Sequence, residues 1–317
     1  MVGWSIARRL FAIDILTMTF VAAHGGGTIA RSAQIPDWPE VALTCAAIAA
    51  IVPLLGWLRA HLDLAPVRVL HDWSFALYVY AIYRTVLLAA GPGHSGHVFD
   101  AWFIAADRWL FGVDPTIWLA RVAHPILTEI LQLAYASFYL LPLAVAIELY
   151  AAGKEWRFRR WAFVCGCGFF LAFVGYLVVP AVGPRFTLHT LEATARELPG
   201  LWLTPGLRAF IDAGGMVPVG AAAGDVLRLA PRDAFPSGHT LVTLLSIAWA
   251  WRYRLRVRWV VTVLGALLLL STVYLRYHYV VDVLAGAALA LLCLAVAPVL
   301  HGWLAGHLGT LDNDLKR

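Results

Sequence analysis

Long apolar runs constrain this chain more than any motif does. A helix needs about 20 mostly apolar residues to cross the hydrocarbon of a bilayer. Eight stretches approach or reach that length: Leu10–Thr28, Val41–Leu58, Trp73–Ala90, Ile126–Tyr150, Trp161–Val182, Gly238–Trp251, Trp259–Tyr274 and Val280–His301. The sixth and seventh are short by this measure. The expected fold class is therefore all-α, a polytopic membrane protein with about eight transmembrane helices. Composition agrees, since 61% of the 317 residues are hydrophobic and only 14% are charged. A soluble domain carries about a quarter charged residues, so an ordinary soluble enzyme, a disordered chain and a disulfide-stapled module are excluded. Cys45, Cys165, Cys167 and Cys293 all lie inside apolar stretches and read as small buried hydrophobes.

The net charge of +5 comes from short basic clusters between the apolar runs. In a membrane protein such clusters orient the chain, so no nucleic acid is expected as a partner. Arg8 and Arg9 precede the first run, and Arg59 and Arg68 follow the second. Lys154, Arg157, Arg159 and Arg160 follow the fourth, Arg252, Arg254, Arg256 and Arg258 the sixth, and Lys316 and Arg317 come last. With eight spans all of these fall on one side, which predicts that both termini are cytoplasmic. Arg8 and Arg9 ahead of an apolar run also fit a signal peptide, but Asp14 interrupts the run and favours an uncleaved span. The expected organisation is a two-span extension (1–72), a six-helix core (73–301) and a cytoplasmic tail (302–317). Two long loops, 91–125 and 183–236, fall on the outer face. The first holds an apolar, aromatic segment, Trp102–Arg121, expected to lie in the membrane interface with a helix start at Asp114-Pro115. In the second, Leu207–Ala213 and Asp225–Leu229 are expected to be short helices. Long loops are uncommon unless they cover a site.

Several chemically capable groups converge on that outer face. His278 and Asp282 are four apart, so on a helix the carboxylate reaches the imidazole, fixes its tautomer and leaves the other nitrogen free to attack. A structural pair and a shared metal site are the other readings of that spacing. Pro236-Ser237-Gly238-His239 suits a capped helix start, with backbone N–H groups facing an anion and His239 able to protonate a leaving oxygen. Arg185, in Gly183-Pro184-Arg185, offers a forked cation to phosphate, although a loop arginine also pairs with lipid head groups. His24-Gly25-Gly26-Gly27 imitates a lipase oxyanion loop, but no Gly-x-Ser-x-Gly accompanies it. Taken together, the groups specify an anion site that uses a nucleophilic histidine.

The order Arg185, Pro236-Ser237-Gly238-His239, then Tyr274-Leu275-Arg276-Tyr277-His278 through Asp282 to Gly286 resembles the type 2 phosphatidic acid phosphatase superfamily of membrane phosphatases and phosphotransferases. The likeness runs over Ile126–His301. It implies that His278 attacks phosphorus, Asp282 orients it, and His239 protonates the leaving group. Ser237, Gly238 and Arg185 would hold phosphate oxygens, with no cofactor and no metal. Two departures stand out. The fifth span has no lysine before Arg185, and Thr272 occupies the position where the third box has an arginine. Arg276 is the candidate replacement if the helix continues through it, while Arg84 and Arg232 are other sources of charge. These features look more like the branch containing inositol phosphorylceramide synthase.

The expected activity is therefore metal-independent phosphoryl transfer on a membrane lipid phosphate or phosphodiester through a phosphohistidine, as a head-group transferase with a lipid alcohol acceptor. The alternatives are a lipid phosphate phosphatase, acting on phosphatidate or polyprenyl phosphate, and an inactive lipid-binding or transport protein. The expected location is a bacterial plasma membrane with the active site outside the cytoplasm.

Overall fold

The computed structural model describes residues 9–62, 64–217, 226–227, 229–308 and 310–312, and every regular element among them is helical. Arg8, Asp225, Lys316 and Arg317 lie outside the described residues. Helices α1 (Ala12–Ala30), α2 (Trp38–His61) and α3 (Ala65–Ala90) form on the first three apolar stretches. The first long loop holds α4 (Asp100–Phe111) and α5 (Pro115–Leu119). Next come α6 (Pro125–Ala136), α7 (Leu140–Ala151) and α8 (Glu155–Val178). The second long loop carries α9 (Pro184–Thr187), α10 (Leu191–Glu197) and α11 (Thr204–Gly214), and α12 (Gly238–Arg252), α13 (Arg258–Tyr274) and α14 (Val280–Leu308) follow.

All eight apolar stretches are helical, but they are not equivalent as spans. By length and composition α1, α2, α3, α8 and α14 can each cross a membrane. The fourth stretch is two helices, α6 and α7, bent by 48° about the break between them. The break falls just ahead of Pro142, whose ring has no N–H and collides with the carbonyl one turn earlier. Helices α12 and α13 have 15 and 17 residues, below the length of a straight span. The segment Trp102–Arg121 is likewise two helices and not one, because Gly112 turns left-handed at φ 70°. The second of them starts at Asp114-Pro115 as the sequence predicts.

Helix α8 is the hub. It packs on α1, α3, α7, α12 and α14, while α12 also contacts α13 and α14. Helices in lipid gain little from burial itself and depend on close approach through small residues. Gly168 of α8 provides such a contact: a Cβ there would lie 2.6 Å from Leu241 and 2.7 Å from Leu245 on α12.

The bundle has two chemically different ends. At one end Asp14 accepts from His71 (2.9 Å), and Arg59 lies 3.0 Å from Asp72. Leu311 N–H bonds Leu10 O (3.0 Å) at the same end, and Glu148 accepts the backbone N–H groups of Arg256 and Val257. Both ends of the described chain and the basic loops after α7 and α12 meet there. The C-terminal end of α8, the start of α12 and the start of α14 form the opposite end.

Candidate active site

Ser237 caps α12, its hydroxyl oxygen accepting from Thr240 N–H (3.2 Å) and Thr240 O–H (3.0 Å). Its own N–H donates to the Asp282 carbonyl (3.0 Å), which joins the two motif segments through backbone. That approach depends on Gly286 in α14, where a Cβ would run into the Ser237 carbonyl oxygen. Gly238 lies equally close to the Tyr176 hydroxyl, 2.5 Å from the position of an added Cβ. Thus Ser237 serves first as a helix cap, while His239 in the first turn lies beside His278.

His278 is nearly fully buried, and its two ring nitrogens have different neighbours. Nδ1 lies 2.8 Å from the Ala234 carbonyl oxygen, a group that can only accept, so Nδ1 carries the proton. The lone pair is then on Nε2, which lies 3.3 Å from His239 Nδ1. Burial pushes the imidazole down to about 4, so it is neutral at physiological pH. Asp282 is not the main orienting group that a continuous helix predicts. Helix α14 starts at Val280, His278 precedes it, and Asp282 Oδ2 sits 3.5 Å from Nδ1 while accepting Tyr279 N–H (2.9 Å). The pairing survives, but the Ala234 carbonyl shares it. His239 stacks on Tyr135 (4.6 Å between centroids) and packs against Phe138 (4.3 Å), both brought there by the α6–α7 break.

Both expected phosphate-binding arginines are engaged by carboxylates of the second long loop. Arg185 donates to Asp212 (2.9 Å) and lies over the Tyr277 ring (4.9 Å). Tyr277 in turn stacks on Tyr135 (4.1 Å), so two aromatic rings stand between Arg185 and His239. Arg276 donates to Glu197 and to Thr194 Oγ1 (3.2 Å), and that hydrogen bond, with the guanidinium charge, holds the Glu197 carboxyl below the usual range. The helix does not continue through Arg276. Helix α13 ends at Tyr274, and Arg276 is left-handed at φ 70°. Thr272 is buried and donates to the Leu269 carbonyl (2.7 Å), so it brings no charge. Arg84 is exposed, and Arg232 is buried, donating to the Ala230 carbonyl.

Several supporting residues carry no motif and escape a reading of the sequence. On α4, Asp100 accepts from Val182 N–H (3.0 Å), Gly183 N–H (2.8 Å) and Tyr279 O–H (2.8 Å). Seven residues on, Asp107 accepts from Val280 N–H (2.9 Å) and Val281 N–H (3.0 Å) and so caps α14 from outside. Phe103 between them stacks on Phe235 (4.5 Å). The same helix exposes Trp102 and Trp109, at 76% and 83%. Gly183 takes φ 90°, and a Cβ would lie 2.7 Å from the Tyr277 carbonyl oxygen, so only glycine admits this crossing beside Arg185. Glu129 of α6 accepts four backbone N–H groups, Leu201 through Thr204, and anchors the start of α11. Asp233 accepts from the Tyr83 hydroxyl (2.6 Å) beside the Ala234 carbonyl that holds His278. Among the described residues no three His, Cys, Asp or Glu side chains are grouped to hold a metal ion.

Residues 101–296 match the model of the PAP2 superfamily, a range that starts in α4 and includes both histidines. A PA-phosphatase related-family protein of Dictyostelium discoideum is 29% identical over 247 residues, covering 66% of this chain. The match covers 41% of that relative, so the chain spans less than half the length of the curated protein it resembles. No solved structure matches.

Proposed function

The chain belongs to the PAP2 superfamily, and on that premise we propose that it is a membrane enzyme transferring a phosphoryl-centred group from a lipid through a phosphohistidine on His278. The carrying observation is the histidine pair: Nδ1 of His278 held by a carbonyl, Nε2 directed at His239 beside the start of α12. In this reading Nε2 attacks phosphorus, and the proton on His239 passes to the leaving oxygen. The first-turn N–H groups of α12 stabilise charge on the phosphoryl oxygens. The product keeps a P–N bond until an acceptor oxygen replaces it.

A phosphodiester donor and a lipid alcohol acceptor, as in head-group exchange of the inositol phosphorylceramide synthase type, fit the charge distribution best. Arg185 and Arg276 are both paired with carboxylates, and a dianionic monoester needs unpaired cations more than a monoanionic diester does. The second reading is hydrolysis of a lipid phosphate monoester, favoured by the words PA-phosphatase related in the name of the Dictyostelium relative. Competition separates them. Purified protein is offered a phosphatidyl diester and a phosphatidate at equal surface concentration, with a lipid alcohol present. Transfer product from the diester is expected; inorganic phosphate from the monoester alone returns the enzyme to the hydrolases. Loss of neither substrate points to an inactive lipid-binding member. The active site is proposed to face outward from the cytoplasm.

A further inference from the structure

The run His24-Gly25-Gly26-Gly27 has no nucleophile to serve, yet it walls a cavity of about 140 Å³ at the active-site end of the bundle. His24, Gly27, Thr28 and Arg31 line it from the end of α1, Ala89 from α3 and Leu177 from α8. A water's share of the liquid is about 30 Å³, so the space suits a group several times that size. His24, Thr28 and Arg31 are spaced by four and three and share one face of the helix. Gly27 and its neighbour Ala23, which also lines the cavity, are exposed on a helix long and apolar enough to span, so the cavity opens towards lipid. The walls from α1 and α3 lie outside residues 101–296, the range that matches the PAP2 superfamily.

Little of the polar capacity here is satisfied internally. The Thr85 hydroxyl directs its one proton at the Ile82 carbonyl oxygen (2.7 Å), so it accepts from His24 Nε2 (3.2 Å). Nδ1 of His24 then carries a lone pair. Neither that nitrogen nor the Thr28 hydroxyl has a hydrogen-bond partner among the described residues, although both side chains are buried. Arg31 donates through Nε to Gln34 (3.2 Å), and no carboxylate pairs with it among the described residues. A guanidinium suits an oxyanion, and an imidazole lone pair suits a hydroxyl. The C-terminal end of a helix repels a bare anion, which disfavours free phosphate and favours a ligand that brings donors with its charge. We propose that this cavity binds the hydroxylated head group of an anionic phospholipid. Its phosphodiester sits on Arg31, a hydroxyl donates to His24 Nδ1, and the acyl chains leave past Ala23. The site uses none of the residues assigned to phosphoryl transfer and does not rest on the phosphohistidine reading.

Native mass spectrometry of the detergent-purified protein, titrated with phosphatidylglycerol, phosphatidylethanol or phosphatidylcholine, tests this in wild type, Gly27→Leu, Gly26→Leu and Arg31→Gln. At both glycines an added Cβ meets nothing within 4 Å, so both variants should fold, but only Gly27 lines the cavity. Gly27→Leu is expected to bind one phosphatidylglycerol fewer than Gly26→Leu, whatever the active site holds. Arg31→Gln should weaken that one site roughly 10- to 100-fold. Phosphatidylethanol, with the charge but no hydroxyls, should bind more weakly than phosphatidylglycerol, and phosphatidylcholine most weakly. Equal lipid counts in the two glycine variants overturn the proposal, as does equal binding of phosphatidylglycerol and phosphatidylcholine. Displacement of the lipid by glycerol 3-phosphate at matched concentration would make the ligand a soluble anion and overturn the lipid assignment. A wild-type dimer lost equally in both glycine variants, with the lipid count unchanged, would make this face a contact between copies of the chain instead.

Discussion

The chemistry at His278 depends on which nitrogen carries the proton, and a backbone carbonyl decides it. Because Ala234 O accepts from Nδ1 at 2.8 Å while Asp282 stands at 3.5 Å, the orienting task is divided. Where a carboxylate alone fixes a catalytic histidine, its loss costs about 10⁴-fold in rate. Here Asp282→Asn is expected to cost less, roughly 10²-fold, whereas His278→Ala leaves no turnover. A drop of four decades in Asp282→Asn, measured on folded protein, would show that the carbonyl cannot hold the tautomer alone. The pH profile provides a second check. Burial lowers the folded imidazole to about 4 against an ordinary value near 6.5, so protons bind the unfolded chain more readily between those values. The neutral nucleophile therefore persists through mildly acid conditions, and stability falls as pH drops through that window. In kcat/KM against pH, the limb belonging to His278 should lie near pH 4; a limb near 6.5 that disappears only when His278 is changed contradicts this. The sequence made the residue types at the site legible, because boxes of His, Ser and Gly have few other uses. It did not make their partners legible. Arg185 and Arg276 read as open cations, yet Asp212 and Glu197 arrive from loops whose placement no local pattern encodes.

At the level of elements, the site is held together by contacts between segments distant in sequence. Helix α4 reads as an interfacial segment because its Trp and Phe residues dominate its hydropathy. Its two buried aspartates, seven apart and so on one face, tie the Val182–Gly183 turn to the start of α14, a role that the hydropathy does not announce. The break between α6 and α7 was equally hidden in a continuous apolar run, and it puts Tyr135 and Phe138 against His239. Helix existence was legible from apolar length alone, but breaks depend on single residues such as Pro142 and Gly112. The crossing of α12 over α14 yields a sharp expectation. Gly286→Ala drives a methyl into the Ser237 carbonyl, and overpacking of this kind costs about 1–3 kcal/mol. Gly302 lies on the same helix with nothing within 4 Å of an added Cβ, so Gly302→Ala should be neutral or slightly stabilising. Thermal denaturation in detergent, run with an activity assay, compares them directly. Equal behaviour of the two variants refutes the close crossing as the link between the motif segments.

Over the whole molecule, charge and chemistry separate along the bundle axis. Arg59, Arg159, the loop after α7 and the loop after α12 sit with both ends of the described chain. The histidine pair, Arg185, Arg276 and the two long loops occupy the other end. This separation agrees with the alternation read from the basic clusters, although α12 and α13 are too short to cross as straight spans. Because Lys and Arg near span ends are retained on the cytoplasmic side, the basic end is expected to face the cytoplasm and the site to face out. Single cysteines at Trp156 and Trp202 test this, since both positions are exposed, at 40% and 87%, and lie at opposite ends. The four native cysteines are buried and should give little background with a membrane-impermeant reagent. In sealed, right-side-out vesicles, the cysteine at Trp202 should label at once and the one at Trp156 only after the membrane is opened. The reverse order would place the active site in the cytoplasm, and labelling of both from outside would break the expected alternation of the spans.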